Sequence, residues 1–356
     1  MDMKELLKKN REYISSDTLD AAAIAAQFVN SETRDHLVIG TVDLPSGQLC
    51  VGDPLAYMCV GEASPAMEKT VEPGSYPVEL SFVRTAFDSV RICTSRVKLS
   101  DKPAVRYELA MADPETAAFK SSDGCFAAFP VDAGMMAFAD RRTVESYISW
   151  CRKWHSENPE GNHYDDYFAA LFAESCERLP AYQREGGDFI EWTVPGEGGR
   201  IVMNASGFGD GLYQAFWGYD SEGELCELAV PLIDPADMEE QNLKYLEIWD
   251  GVEPCIVTKH INEGGKIAYM CRYETANEES YNGWIFYGFD EDNAYWDDPE
   301  NFVLYSTHGL ADRVPGIIPL LHSPVGTAFF ADENGEFVLD EGSKVKSQGT
   351  VFGFVP

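Results

Sequence analysis

Four aspartates stand at glycine- or proline-containing segments in the first part of the chain: Asp53, Asp132, Asp140 and Asp210. If they converge, two of the carboxylates could share a proton and serve as acid and base in a hydrolysis. The competing reading is that each accepts backbone N–H bonds in its own turn, the ordinary use of Asp beside Gly and Pro. The turn reading is preferred, so no catalytic residue is assigned. A second set joins Trp284, Tyr287, Asp290, Glu291, Asp292, Tyr295, Trp296, Asp297 and Asp298. Rings interleaved with carboxylates suit a surface that receives lysines and arginines of a protein partner, through cation–π contact and charge steering. Trp284, next to Ile285 and Phe286, reads by itself as core. For 290–298 an interface and a merely solvated acidic surface both stand.

Other chemistry finds little footing. There is no His-Glu-x-x-His, and the six histidines are not spaced as ligands on one helix. The run from Asp290 resembles the start of a calcium loop but lacks that loop's glycine and closing glutamate. Gly207-x-Gly209-x-Gly211 is followed by a strand where a phosphate site needs a helix, so it is read as a hairpin turn. No Gly-x-Ser-x-Gly elbow occurs. No metal and no cofactor are therefore expected.

The elements that must hold these residues alternate between strands and a few helices. Short helices are expected at 3–13 and 18–29, the second capped by Ser16 or Asp17. His36–Gly40 and Gln48–Val51 flank Pro45-Ser46-Gly47 as a hairpin. Strands are expected within 71–80, 89–97, 105–111, 188–194, 199–205, 212–218 and 225–231. Residues 131–140 read as a glycine-containing connector, and helices follow at 142–156 and 163–178. Further on, 256–259 and 266–273 form a hairpin across the Asn262–Gly265 turn, with Ile267, Tyr269 and Cys271 on one face, and 283–287 is a third strand.

A chain of 356 residues exceeds one ordinary core, so two domains are expected, at 1–233 and 254–356, joined by an acidic linker at 234–253 that holds a short helix. Hydrophobic residues at 45% suffice for packed cores. The net charge of −33 repels nucleic acid and anionic membrane, and it either favours a cationic partner or simply maintains solubility. The first residues lack the apolar stretch of a signal peptide, and no apolar run reaches the roughly 18 residues of a membrane span. Nine scattered cysteines without a Cys-x-x-Cys pair read as reduced thiols. A cytoplasmic protein is expected.

The last third resembles a bacterial domain family grouped with the immunity proteins of polymorphic toxin systems. The resemblance lies in Val257-Thr258-Lys259, Gly264-Gly265-Lys266, Tyr269-Met270, Arg272, Gly283-Trp284, Gly288, Asp290-Glu291-Asp292, Asp297 to Asn301, Ile318 to Leu321 and Pro324 to Phe329. Tyr281-Asn282 stands where that family usually has an aspartate-serine pair. The first two-thirds resembles a bacterial family of unknown function through Ser46-Gly47, Val51, Asp53-Pro54-Leu55, Pro73-Gly74, Tyr76-Pro77-Val78, Asp132-Ala133-Gly134, Asp140, Ser206-Gly207, Gly209-Asp210-Gly211 and Tyr213. The first resemblance implies binding and neutralising a toxin protein, without catalysis; the second implies no activity. The expected fold is α+β, each domain a mainly antiparallel sheet with a few helices. A hydrolytic enzyme using the four aspartates, or a scaffold or sensor without a toxin, are the rival readings.

Overall fold

The computed structural model describes residues 16–62, 66–86, 89–112, 128–196, 198–275, 280–289 and 291–342. The helix expected at 3–13, Cys125 and Asp290 lie outside the described residues. The chain divides into two units, 1–239 and 240–356, and is α+β in both.

Among the described residues the first unit contains α1 (Ala21–Gln27) and twelve strands. They are β1 (Arg34–Leu44), β2 (Leu49–Gly52), β3 (Gly74–Arg84), β4 (Val90–Lys98), β5 (Arg106–Leu109) and β6 (Phe129–Val131). β7 (Met135–Asp140), β8 (Phe189–Thr193), β9 (Arg200–Ala205), β10 (Gly211–Tyr213), β11 (Phe216–Tyr219) and β12 (Leu225–Pro231) follow. Two antiparallel sheets form, ordered β1-β3-β4-β12-β11-β5 and β2-β7-β9-β8, with a β10-β6 pair beside them. Between the sheets lies a core of Val42, Leu44, Val78, Trp217 and Leu228 from one and Leu49, Val51, Met136, Phe138 and Val202 from the other. The opposite face of the smaller sheet packs Ala137, Ala139, Ile201 and Met203 against α2 (Arg141–Glu157) and α3 (Ala169–Arg178), which supply Val144, Tyr147 and Phe172. The larger sheet buries Leu109, Phe216 and Ala229 under Ile24 and Phe28 of the α1 segment.

Several local expectations are corrected here. α1 is capped by Asp20, whose Oδ1 accepts from the Ala22 and Ala23 amides, and not by Ser16 or Asp17. The segment 131–140 is mostly a central strand: every residue of β7 is buried, alternate side chains entering the two cores. A strand apolar on both faces shows no polar alternation, which is why it reads as a connector. β1 and β2 are not a hairpin, since β1 pairs with β3 and β2 with β7; the 45–47 turn carries the chain from one sheet to the other. The 206–211 glycine loop is not a hairpin either, because β10 pairs with β6. It is closed by the Tyr213 hydroxyl, which donates to the Ser206 and Gly209 carbonyls.

The unit boundary falls inside α4 (Pro235–Ile248), a helix within the segment read as an acidic linker with a short helix. The second unit has β13 (Pro254–Thr258), α5 (Lys259–Asn262), β14 (Ile267–Arg272), β15 (Trp284–Gly288), α6 (Asn293–Trp296), β16 (Phe302–Ser306), α7 (Thr307–Arg313), β17 (Ala328–Ala331) and β18 (Phe337–Leu339). One sheet runs β16-β13-β15-β14-β17-β18. The expected β13–β14 hairpin does not form: β15 lies between them, parallel to β13 and antiparallel to β14. Lys259–Asn262 coils into α5 and buries Ile261, which turns the chain away from a tight return. Alternation along β15 sends Trp284 and Phe286 to one core with Leu310 and Leu321, and Ile285 and Tyr287 to the other. A register shift between Ile267 and Tyr269 puts Ile267 on the Trp284 face, while Tyr269 and Cys271 stay on the Tyr287 face.

Candidate functional site

The four aspartates do not gather into one centre. Asp53 is fully buried, and its two oxygens accept four amide N–H groups. Oδ1 takes Leu55 at 2.8 Å and Ala56 at 2.9 Å, and Oδ2 takes Asp132 at 2.9 Å and Ala133 at 2.7 Å. Asp210 accepts from the Gly134 amide at 3.1 Å, and Asp132 is exposed. Asp140 lies at the far end of the β2–β7 ladder, where Leu49 faces Asp140 and Gly52 faces Ala137. It caps α2 through the Arg142 amide and accepts both the amide and the hydroxyl of Ser46. Each of Asp53, Asp140 and Asp210 therefore fastens a turn.

What Asp53 fastens is the wall of a cleft. The segments 55–60 and 133–135 border a cavity of about 1010 Å³, completed by the end of α2 and by residues 160–164 and 184–188. At the helix end the Asn158 amide and side chain both donate to the Trp154 carbonyl. Gly161 follows where a Cβ would come within 2.7 Å of the Trp154 ring. His163 then leads into a π-helical turn over Tyr164–Phe168 before α3, a wide turn often found at functional sites. Across the cleft Arg184 donates Nε and Nη2 to Asp188 Oδ1 at 3.0 and 2.6 Å, and its amide donates to Oδ2.

The His163 ring is 7% exposed and boxed by rings: Trp150 at 5.6 Å, Trp154 at 4.5 Å and His155 at 4.1 Å between centroids. Its Nε2 is buried without a hydrogen-bond partner. Burial, and then the neighbouring His155, push its pKa down to about 4, so the imidazole is neutral at pH 7. His155 donates Nδ1 to the Cys151 carbonyl at 3.1 Å, which fixes its ring. Among the described residues no three His, Cys, Asp or Glu side chains form a group able to hold a metal. The eight described cysteines are free thiols, and burial pushes Cys50, Cys93, Cys151 and Cys255 up to about 12, which keeps them unreactive. No helix of the described residues is long and apolar enough to cross a membrane.

In the second unit the acidic, aromatic set divides into structural and surface members. Trp284 is fully buried and donates its indole N–H to the Leu321 carbonyl at 2.9 Å; Tyr287 is buried too. Glu291 has a buried carboxylate that works as a latch. Oε1 accepts the Thr258 hydroxyl at 2.6 Å and faces His260 Nδ1 at 3.3 Å, while Oε2 accepts the Gly288 amide and the Trp296 indole, both at 2.8 Å. Tyr295 stacks on His260 at 4.7 Å, and Trp296 meets Tyr287 edge-on at 5.0 Å; both rings are half-buried. Asp292 caps α6 through the Tyr295 amide, and Asp298 accepts from the Glu300 amide. Asp292, Asp297 and Asp298 are exposed. Asn282, in the position of the departed aspartate-serine pair, donates to the Thr307 hydroxyl and accepts from the Trp284 amide.

The cleft histidines were not singled out from the sequence. His155 and His163 fall on either side of the Asn158–Gly161 helix stop, so no helical spacing relates them. The available signal was that stop itself, which folds the second histidine back against Trp150 and Trp154 of the preceding helix.

Residues 42–230 match the profile of a family described as protein of unknown function (DUF4241), and residues 255–341 match the immunity protein Imm33 domain. No curated protein and no solved structure matches the chain.

Proposed function

The chain belongs to the DUF4241 family, and from the Imm33 immunity domain it also carries we propose that it is a cytoplasmic immunity protein of a bacterial polymorphic toxin system. It binds and neutralises a toxin protein and catalyses no reaction in doing so. The immunity domain match over 255–341 carries this reading, since it spans the sheet and both cores of the second unit. The net charge of −33 supports a cationic toxin, because an acidic surface raises the encounter rate with a basic one.

Within that domain the meeting surface is the exposed part of the acidic loop: Asp292, Asp297 and Asp298 outward, with the half-buried Tyr295 and Trp296 behind them. Replacing all three aspartates by Asn keeps the caps, since Asn serves as an N-cap about as well as Asp. It removes charge alone. Association with the toxin encoded beside this gene is expected to slow by roughly tenfold, with weaker salt dependence, while the unfolding midpoint holds. The primary experiment is co-expression: the chain should restore growth to cells making that toxin and co-purify with it. Failure of both rescue and association would remove the toxin reading, whatever the loop variant does.

A further inference from the structure

We propose that the cleft of the first unit is a binding site for an organic cation, an ammonium or guanidinium carried on an apolar stem. This stands apart from the toxin reading, which concerns the second unit. The cavity, about 1010 Å³, is of the size that holds small ligands. Its lining includes the apolar Leu55, Cys59, Met135 and Ala205, which can receive a hydrocarbon stem. Its charged groups are Glu160, Glu185, Asp188 and Arg184. Arg184 is spent on Asp188, which takes both Nε and Nη2, so the pair is close to neutral as a unit. Glu160 and Glu185 remain, both exposed at the mouth, and the balance of the cleft is negative.

His163 supplies the independent observation. A polar side chain this deeply buried normally has a partner, because an unmade bond inside the protein is costly. Here the imidazole sits in the cleft wall with Nε2 unpartnered. Neutral at pH 7, it adds no positive charge to repel a cation, and a neutral imidazole can offer a ring nitrogen as a hydrogen-bond acceptor. The walls are fixed in advance: Asp53 ties 55–56 to 132–133, and Gly187 lies where a Cβ would be 2.1 Å from the Phe172 carbonyl oxygen. A preformed site loses little freedom on binding.

The source of the cation is either a free small amine or a basic side chain of a peptide. The test titrates the full chain with agmatine, with the blocked peptide acetyl-Gly-Lys-Gly-amide and with inorganic phosphate, read by calorimetry and by the fluorescence of the tryptophans. Saturable binding of agmatine is expected, and the peptide arm shows whether a side chain suffices. Glu160→Gln and Glu185→Gln should each weaken it by about tenfold, the loss of roughly one charge-assisted contact. Both residues are exposed, so folding should be unaffected, which circular dichroism checks. Glu145→Gln, on the exposed face of α2 and outside the cleft lining, should leave affinity unchanged. No saturable binding by either amine, binding of phosphate in their place, or equal loss with Glu145→Gln would overturn the proposal.

Discussion

Asp53 shows how a residue that could do acid–base chemistry is committed to architecture instead. Its two oxygens accept four amides, so the carboxylate is the acceptor set of two turns at once. Asp53→Asn would turn an N–H₂ group toward one pair of amides, leaving buried donors facing a donor. A loss of about 2–3 kcal/mol is expected in urea unfolding. Asp210→Asn, which keeps an acceptor for the single Gly134 amide, should cost less than about 1 kcal/mol. Equal costs at the two positions would contradict this division of labour. His163 gives the residue scale its pH dependence. Its folded pKa is about 4, against 6.5 for the free side chain, so below 6.5 the unfolded chain holds the extra proton. Stability is full above 6.5 and falls as the pH drops toward 4, by about 2 kcal/mol at pH 5. His163→Phe should flatten that part of the curve.

At the scale of elements, the cleft depends on close approaches that only glycine allows. Gly187 combines a φ of 91° with the Phe172 carbonyl oxygen 2.1 Å from where a Cβ would stand. Gly187→Ala is expected to cost more than about 2 kcal/mol, through backbone strain and displacement of α3. Gly186→Ala, also at positive φ but with open space around it, should cost about half as much. The same contrast explains which elements were legible in the sequence. α2 announced itself through Val144, Tyr147 and Cys151 at helical spacing, and the β11–β12 return through the Asp220–Gly223 turn, where Asp220 accepts two amides. β7 did not, because burial on both faces erased its alternation. Pairing was the least legible. Each of the glycine turns at 45–47, 206–211 and 262–265 was visible, yet none joins two paired neighbours, since a turn residue fixes a local φ and not the partner of the next strand. The cleft was invisible for the same reason. His155, His163 and Arg184 are brought together by a helix stop, a π-turn and a loop from separate parts of the chain.

For the whole molecule the question is how independent the units are. The cores around Trp217 and Met203 draw only on residues before 240, and those around Trp284 and Tyr287 only on residues after it. Each unit thus buries its own apolar surface, the main condition for folding alone. We propose that 1–233 and 254–356 behave as separate domains with 234–253 between them, and their acid responses offer a way to tell them apart. In the first unit His163 withdraws stability between pH 6.5 and 4. In the second, Glu253 responds in the same direction but only at lower pH. Burial would raise its pKa, but the Ser306 hydroxyl, His308 and the Thr307 and His308 amides outweigh that and hold it below the usual 4.5. Being lowered, it stabilises the fold above 4.5 and is lost only as the pH falls below that value. Calorimetry of the full chain should therefore show two transitions. Moving from pH 7 to pH 5 should lower the one belonging to residues 1–239 by several degrees and move the other less. Fragments expressed separately would assign the peaks. A single transition at both pH values, or a matched shift of both, would show that the units unfold as one.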